Sequence, residues 1–321
     1  MKAIVYEKYG PPDVLRLKEV EKPAPSEDEV LVKVHAASVN YSDWVFVRGK
    51  PFVIRLMVGG LLKPKIKILG ADIAGQAAAV GVNVKQFRPG DEVYAELSAY
   101  GWGGFAEYVS VPEKALALKP ANLTFEEAGA VPQAAVVALQ GLRNEGQIQP
   151  GHKVLINGAS GGIGTFAVQI AKSFGAEVIG VCSSRNLDMV RSIGADQVID
   201  YMQEDFTNNG QRYDLILDIV ANHSISGLER ALSPRGIYVF VGGSMAAVIK
   251  ASMNKSERIR NLSAEPNQKD LVVMKELIEA GKVVPVIDRR YPFNEASEAV
   301  RYYGERHSQG KVVITLEHDN K

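Results

Sequence analysis

The sequence of 321 residues has a single cysteine, Cys182, and carries no net charge. One cysteine cannot form an intrachain disulfide, and it cannot supply a metal cluster built from several thiolates. The 37 Lys and Arg residues balance 37 Asp and Glu residues. The chain as a whole therefore has no bulk attraction for nucleic acid or for anionic membranes, and we expect no nucleic-acid partner.

Long apolar runs are also absent from the sequence. The longest, Gly129 to Leu139, contains Pro132 and Gln133 and is too short to span a bilayer. The N-terminal residues lack the apolar core of a signal peptide. Because a lone cysteine also suits a reducing compartment, we expect a cytoplasmic protein without stable membrane insertion.

The chain is long enough for two domains, and the pattern of apolar and polar residues changes along its length. Residues 1–120 contain short apolar runs broken by proline, glycine and charge, which is typical of antiparallel strands joined by turns. Residues 121–265 alternate apolar strands with helices, which predicts a doubly wound parallel sheet. Residues 266–321 begin with a helix and then show again the β-rich pattern of residues 1–120. We expect an α/β protein whose tail folds back onto the first domain.

A βαβ unit over His152 to Val181 carries a turn rich in small residues, Asn157 to Gly164. This turn matches the pattern G-x-G-x-x-G, with Ala159 in place of the first glycine. Glycine allows phosphates to approach the backbone, and a helix N-terminus offers them unpaired N–H groups. A tight turn that only holds a helix on a sheet would need fewer glycines. The context therefore predicts that a dinucleotide binds at Ser160, Gly161, Gly162, Ile163 and Gly164.

The residues after the second strand of this unit indicate which dinucleotide binds. NAD enzymes carry an acidic residue here, whereas this chain has Ser183, Ser184 and Arg185. Two hydroxyls and a guanidinium suit a 2′-phosphate, since a hydrogen bond to a charged group contributes roughly 1.5–3 kcal/mol. Helix capping by the serines is a compatible alternative. We expect NADPH, with Gly242 and Gly243 also near it because ligands bind at the carboxyl ends of such strands.

A series of short motifs runs through essentially the whole chain: Met1–Ala3, Val39–Asp43, Gly70–Gly75, Arg88–Val93, Gly103–Tyr108, Gly158–Gly164, Gly194–Asp196, Ile199–Tyr201 and Gly310–Lys311. In this order the motifs resemble the medium-chain dehydrogenase/reductase superfamily, close to its zinc-independent quinone oxidoreductase (zeta-crystallin-like) branch. The resemblance implies a GroES-like β-rich catalytic domain, a Rossmann domain and a homodimer. It implies that Tyr201 lies by the 2′-phosphate and Lys311 near the cofactor, although an exposed strand lysine is the alternative for Lys311.

The resemblance also predicts that no metal is bound. Zinc-dependent relatives have a Cys-His pair where this chain has Asn40-Tyr41, and a His-Glu pair where it has Ala71-Asp72. The structural zinc lobe with its four cysteines is missing, and no two of the five histidines are four residues apart. Four-coordinate zinc needs thiolate or imidazole ligands at fixed geometry, which these positions do not supply.

Without a metal to polarise a carbonyl, simple alcohol dehydrogenation is disfavoured. A conjugated acceptor is easier to reduce because the negative charge spreads onto a remote oxygen. We therefore expect an enzyme that transfers hydride from NADPH to a quinone or an α,β-unsaturated carbonyl, the substrates that the resemblance also implies. Asn40, whose family counterpart lines the cleft, and Tyr41 are the candidate catalytic residues. Packing is the alternative for Tyr41, and solvent is the alternative proton source.

Two other functions use the same motifs. A non-catalytic NADPH-binding redox sensor or structural protein would need the same glycine loop. A short-chain dehydrogenase is disfavoured because its glycine motif lies near the N-terminus. That class also needs a Tyr-x-x-x-Lys pair, and no tyrosine of this chain is followed four residues later by lysine.

Residues 48–68 combine apolar, basic and glycine residues within the β-rich region. Three interpretations are open for this segment: a hydrophobic wall over the substrate, an irregular insertion or partner contact, and a basic amphipathic patch on a membrane. Pro51 and Pro64 weaken the last of these because they interrupt any helix.

Overall fold

A computed structural model describes residues 1–57, 60–242, 256–305 and 308–317. The chain divides into two compact units. Unit 1 comprises Met1–Gln133, Pro266–Glu279 and Pro285–Lys321, and unit 2 comprises Ala134–Glu265 and Ala280–Val284. The first unit thus extends past the boundary predicted at residue 121. Within the described ranges, no helix is long and apolar enough to cross a membrane.

The strands and helices are numbered in chain order. The strands are β1 Lys2–Val5, β2 Arg16–Glu19, β3 Glu29–Val39, β4 Asp72–Val80, β5 Glu92–Glu96, β6 Tyr108–Pro112, β7 Leu116–Leu118, β8 Lys153–Asn157, β9 Glu177–Cys182, β10 Gln197–Asp200, β11 Tyr213–Asp218, β12 Leu232–Phe240, β13 Ile259–Asn261, β14 Ile287–Pro292 and β15 Lys311–Thr315. The helices are α1 Tyr41–Arg48, α2 Val53–Met57, α3 Phe125–Gly129, α4 Pro132–Gln140, α5 Gly162–Ser173, α6 Leu187–Ser192, α7 Ile225–Ala231, α8 Gln268–Glu279 and α9 Ala296–Glu305.

Unit 1 is built on a mainly antiparallel sheet of order β14-β15-β3-β4-β5-β7, and β6 also pairs with β3. The tail returns to this sheet, because β15 pairs with β3 through Val312 opposite Val39. Leu69, Ile73 and Phe105 are fully buried in the core of the unit. Full burial of side chains of this size contributes about 1.5–3 kcal/mol each. The β-rich first domain predicted from the broken apolar runs is therefore confirmed.

A capping box at Thr124-x-x-Glu127 predicts a single helix running toward Arg143. The box is present, since Thr124 N–H donates to Glu127 Oε2 at 2.8 Å and Glu127 N–H donates to Thr124 Oγ1 at 3.3 Å. The prediction of a single continuous helix is wrong, because α3 ends at Gly129 and a separate helix, α4, begins at Pro132. Proline has no N–H to continue the first helix, and its fixed φ suits the start of a new one.

Unit 2 is built on a parallel sheet of order β10-β9-β8-β11-β12-β13. Counted along the chain, this is the order 3-2-1-4-5-6 of dinucleotide-binding folds, in which ligands bind where the order reverses. Here the reversal lies between β8, which ends at Asn157, and β11, which ends at Asp218. The predicted α/β class with a doubly wound sheet is therefore confirmed.

Candidate active site

The glycine loop of unit 2 joins β8 to α5. Gly158 has a φ of 90°, which favours glycine. A Cβ on Gly164 would lie 2.1 Å from the carbonyl oxygen of Gly158, so only glycine fits there. Ala159 is fully buried and replaces the first glycine of the pattern. Gly161 is the N-cap of α5, and the first N–H groups of a helix have no acceptor within it. The loop can therefore hold an anion at Gly161, Gly162 and Ile163.

The ends of β9 and β10 bring together the residues predicted to select the cofactor. Because Asp200 pairs with Cys182 in the sheet, its carboxylate accepts a hydrogen bond from Ser184 Oγ. This bond lowers the pKa of Asp200. The sequence segment itself has no carboxylate, so the register of the sheet supplies one that was not predicted. Arg185 is exposed, and Tyr201 is 54% exposed.

The side chains of Ser183 and Ser184 do not cap a helix, which was the alternative for these two residues. Ser183 precedes the short turn Ser184–Asn186, but its hydroxyl makes no capping hydrogen bond in the described structure. Asn186 instead connects this turn to the glycine loop, because its Nδ2 donates to Ser160 Oγ at 2.9 Å. The predicted loop residue Ser160 and the segment after β9 therefore form one continuous surface of unit 2.

At the reversal of the sheet, Asp218 is fully buried and accepts several hydrogen bonds. Asn157 Nδ2 donates to Asp218 Oδ1 at 2.8 Å, and Tyr238 Oη donates to Asp218 Oδ2 at 3.0 Å. Backbone N–H groups of the following turn donate to Oδ1 as well. Gly242 follows β12 with a φ of 103°. Gly243, the other glycine predicted here, lies outside the described residues.

Unit 1 contains a buried polar cluster, which we call the Lys311 network: Ser38, Asn40, Asp72 and Lys311. Lys311 Nζ lies 2.6 Å from Asn40 Oδ1 and 3.1 Å from Asp72 Oδ2. Asn40 Nδ2 donates to Asp72 Oδ2 at 3.0 Å, and Ser38 Oγ donates to the same oxygen at 2.7 Å. None of the four residues is more than 5% exposed. The exposed strand lysine offered as the alternative for Lys311 is therefore wrong.

Adjacent strands assemble this network from distant parts of the sequence. Asp72 at the start of β4 pairs with Ser38 near the end of β3. Lys311 begins β15, whose next residue, Val312, pairs with Val39. Asn40 follows β3 directly. The sheet therefore fixes the four side chains through its hydrogen-bonded register.

The network fixes the orientation of the Asn40 amide. Its Oδ1 accepts from an ammonium, so its Nδ2 must be the end that donates to Asp72. One Nδ2 hydrogen is used in this way, and within the described parts of the chain no acceptor takes the second. Asn40 can therefore present one N–H to a ligand. Lys311 already has two partners, so its contact with the cofactor stays a prediction.

Tyr41, the other candidate catalytic residue, begins α1 and is 62% exposed. The ring is therefore not packed into the core, which was the alternative for this residue. Its hydroxyl is not part of the Lys311 network. The structure thus separates the two catalytic candidates, with Asn40 rigidly held and Tyr41 on the surface.

Two further buried carboxyl groups lie around the network. Asp43 accepts from the backbone N–H groups of Asn40 and Gly70 at 2.8 and 3.0 Å. Glu96 accepts from Gln133 Nε2 at 3.3 Å. Burial raises the pKa of Asp43 to about 7 and that of Glu96 to about 7. The negative charge of Asp72 raises both pKa values further.

These raised pKa values predict a pH-dependent stability. A carboxyl group whose pKa is higher in the folded state binds protons more tightly there, so stability falls as pH rises from the ordinary pKa of 4.5 toward about 7. Each such group contributes a slope of up to roughly 1.4 kcal/mol per pH unit. We expect Glu96→Gln to make the fall measurably shallower in urea titrations across this range. The exposed variant Glu21→Gln is the control, and equal slopes in all three proteins would contradict the assignment.

Several residues of the two sites were not predicted as functional. Ser38, Glu96 and Gln133 carry no motif of their own, and only the pairing of their strands could reveal them. Asp72 stood in the sequence as a replaced zinc ligand. In the structure Asp72 accepts a hydrogen bond from Asn40 and so helps to orient the Asn40 amide, which the replacement alone does not indicate.

Comparison with known proteins identifies the family. Residues 26–121 match the alcohol dehydrogenase GroES-like domain, and residues 193–314 match the family described as zinc-binding dehydrogenase. The chain is 33% identical to the chloroplastic quinone-oxidoreductase QR1 of Triphysaria versicolor over 98% of each chain. The chain belongs to the medium-chain dehydrogenase/reductase family. The family resemblance predicted from the sequence is therefore confirmed.

Two further members of the family are similarly close. The NADPH-dependent alkenal/one oxidoreductase of Arabidopsis thaliana is 35% identical, over 98% of this chain and 79% of that protein. The structure of the quinone oxidoreductase from Coxiella burnetii superposes with a TM-score of 0.88 and 30% identity over 99% of both chains. This medium-chain dehydrogenase/reductase is therefore an oxidoreductase.

The family description names zinc, but the Lys311 network does not fit it. The ligand positions inferred from the resemblance hold Asn40, Tyr41, Ala71 and Asp72. Asn40 Oδ1 and Asp72 Oδ2 already contact the Lys311 ammonium, and Asp72 Oδ1 accepts from the backbone N–H of Gln133 at 2.8 Å. Among the residues with described positions, no group of three or more His, Cys, Asp or Glu could hold a metal ion.

Proposed function

We propose that this chain transfers hydride from NADPH to a quinone or an α,β-unsaturated carbonyl without zinc. The observation that carries the proposal is the Asn40 amide, held by Lys311 and Asp72 at a position where zinc-dependent relatives have a metal ligand. NADPH supplies the hydride when it is bound. The names of the Triphysaria and Arabidopsis relatives support this substrate class.

The protein contributes a fixed hydrogen-bond donor. Reduction of a conjugated acceptor places negative charge on an oxygen remote from the carbon that receives the hydride. A preorganised N–H aimed at such an oxygen stabilises the charge without reorganisation. The second Nδ2 hydrogen of Asn40 meets this description, whereas Tyr41, at 62% exposure, supplies a proton only if solvent does not.

The cofactor in this proposal is NADPH rather than NADH. The glycine loop binds the pyrophosphate, and Ser183, Arg185 and Tyr201 bind the 2′-phosphate. Ser184 gives its hydroxyl proton to Asp200, so it cannot donate the same proton to a phosphate. Arg185 therefore contributes more than Ser184 to the preference for NADPH over NADH.

Arg185→Glu is expected to lower the preference for NADPH over NADH by about tenfold or more, since it removes a charged hydrogen bond of roughly 1.5–3 kcal/mol. The measurement is kcat/KM for each cofactor with one acceptor. Arg191→Glu on α6, which breaks an ion pair with Asp188 at 3.0 Å, is the matched control. An unchanged preference in Arg185→Glu would overturn the role of this residue.

A panel of quinones and enones with NADPH separates the enzyme from a non-catalytic NADPH-binding protein. We expect turnover with at least one acceptor, and we expect a zinc chelator to leave it unchanged. Tight NADPH binding without any turnover would favour the redox sensor or structural protein. Loss of activity on removal of stoichiometric zinc would contradict the metal-free mechanism.

We also propose that the protein is cytoplasmic, as its composition indicates, and that it is a homodimer, as the family resemblance implies. The single cysteine, Cys182, is consistent with a reducing compartment. Sedimentation equilibrium should give twice the chain mass of 34.8 kDa. A single-chain mass at micromolar concentration would contradict the dimer.

A further inference from the structure

A group of apolar side chains is exposed on unit 1 next to α2. Five of the fourteen large exposed hydrophobic residues in the described ranges lie within residues 52–62: Phe52, Val53, Leu56, Leu61 and Leu62. Leu62 is 87% exposed, and Leu56 is 58% exposed. Single exposed leucines are ordinary on a protein surface, whereas clusters mark interaction sites. We call these side chains, together with Lys63, Lys65 and Lys67, the basic apolar patch.

The charges around these side chains all have one sign along the sequence. Between Asp43 and Asp72 there is no acidic residue, and there are six basic ones: Arg48, Lys50, Arg55, Lys63, Lys65 and Lys67. Lys63, Lys65 and Lys67 are exposed, while Ile66 and Ile68 between and beside them pack on the core of unit 1. The three lysines therefore lie on the solvent side of this segment.

The acidic side chain of Glu7 faces this group from another segment. Glu7 pairs with Lys18 at 3.0 Å, and its pKa is lowered by this hydrogen bond first and by Lys67 and Lys63 to a smaller extent. Glu7 therefore already has a basic partner outside the patch. The patch keeps an excess of positive charge although the whole chain has none.

Internal contacts involve described residues on both sides of the patch. Tyr9 Oη donates to the carbonyl of Gly60 at 2.5 Å. Arg55 Nε donates to the carbonyl of Gly49 at 3.1 Å, and its guanidinium lies over the rings of Tyr9 and Phe52. Arg55 is thus used to order the segment. The lysines and leucines of the patch remain exposed.

We propose that the basic apolar patch docks this protein on an anionic lipid surface. Stable attachment of a peripheral protein needs two signals, buried apolar area and attraction to anionic headgroups. The leucines and Phe52 supply the first, and the lysines supply the second because a bilayer with anionic lipids attracts each nearby lysine. The attachment is interfacial and does not span the membrane. It does not depend on the hydride-transfer proposal.

Co-sedimentation of the full chain with vesicles tests this docking. We expect binding to phosphatidylcholine vesicles that contain phosphatidylglycerol, no binding to phosphatidylcholine alone, and weaker binding as salt is raised. The triple variant Lys63→Glu, Lys65→Glu, Lys67→Glu should lose binding by at least about tenfold. Leu61→Ser with Leu62→Ser should also weaken it, at every salt concentration.

A second triple variant separates local charge from net charge. Lys85→Glu, Lys114→Glu, Lys282→Glu changes the net charge equally through three exposed lysines elsewhere, and it should bind vesicles like the unmodified protein. Both triple variants should keep their melting temperature and their activity in lipid-free buffer. Equal binding by the two triple variants, or no binding by the unmodified chain, would overturn the proposal. A third outcome would also overturn the proposal: the unmodified chain forms a dimer but binds no vesicles, and the double variant Leu61→Ser, Leu62→Ser abolishes the dimer. The patch would then bind a second copy of the chain.

Discussion

Replacing Lys311 by methionine should lower the free energy of unfolding by about 3–5 kcal/mol, because it leaves the buried carboxylate of Asp72 without its cation. Asp72 is fully buried and Lys311 is 2% exposed, so water cannot take over the role of the ammonium. Denaturant unfolding of the purified variant measures the effect. The loss should be large enough to see as a lower melting temperature as well.

A double-mutant cycle distinguishes the ion pair from the volume of the side chain. Asp72→Asn removes the charge that Lys311→Met leaves unpaired, so the double variant should recover part of the stability lost by Lys311→Met alone. Lys172→Met breaks an ion pair with Asp196 whose side chains are 35% and 40% exposed, and it should cost less than about 1 kcal/mol. Additive losses in the cycle would contradict a coupled buried pair.

Asn40→Ala should reduce kcat by roughly 10²–10³-fold, the effect of removing one preorganised donor from a developing negative charge. The affinity for NADPH should change little, because the glycine loop belongs to unit 2. Steady-state kinetics with a saturating quinone or enone measures the loss, and fluorescence titration measures cofactor binding. Circular dichroism and the melting temperature should confirm that the variant is folded, since Asn40 also contacts Lys311.

Tyr41→Phe is the matched variant for Asn40→Ala, because it tests the other candidate catalytic residue. It removes a hydroxyl from a side chain that is 62% exposed and adjacent to Asn40 in the sequence. If turnover stays near that of the unmodified enzyme, Tyr41 is not the proton donor, and solvent is the favoured source. A normal kcat in Asn40→Ala would contradict the donor role and would leave only positioning of the reactants.

The fold was predictable where local patterns are strong. The βαβ unit that carries the glycine loop has apolar strands of the right length and a helix with a buried face, and these fix the parallel sheet. The break between α3 and α4 was missed because the capping box at Thr124 and the apolar periodicity outweighed Pro132.

The candidate site was predictable only in part. The glycine loop and the segment after β9 lie within short stretches of sequence, so their residue types indicate their chemistry. The Lys311 network joins β15, β3 and β4 across 271 positions between Asn40 and Lys311. No local pattern encodes the register that brings Asp72 opposite Ser38, or Asp200 beside Ser184. Partners of this kind become visible only when the sheet is known.

Cofactor-coupled turnover should be measured with the chelator-treated enzyme. We predict that NADPH is oxidised in equal amount to the quinone or enone reduced, with kcat/KM about tenfold or more above that for NADH. Metal analysis of the same active sample should find no stoichiometric zinc. Turnover that returns only when zinc is added, or NADPH binding with no acceptor reduced, would contradict zinc-independent hydride transfer from NADPH.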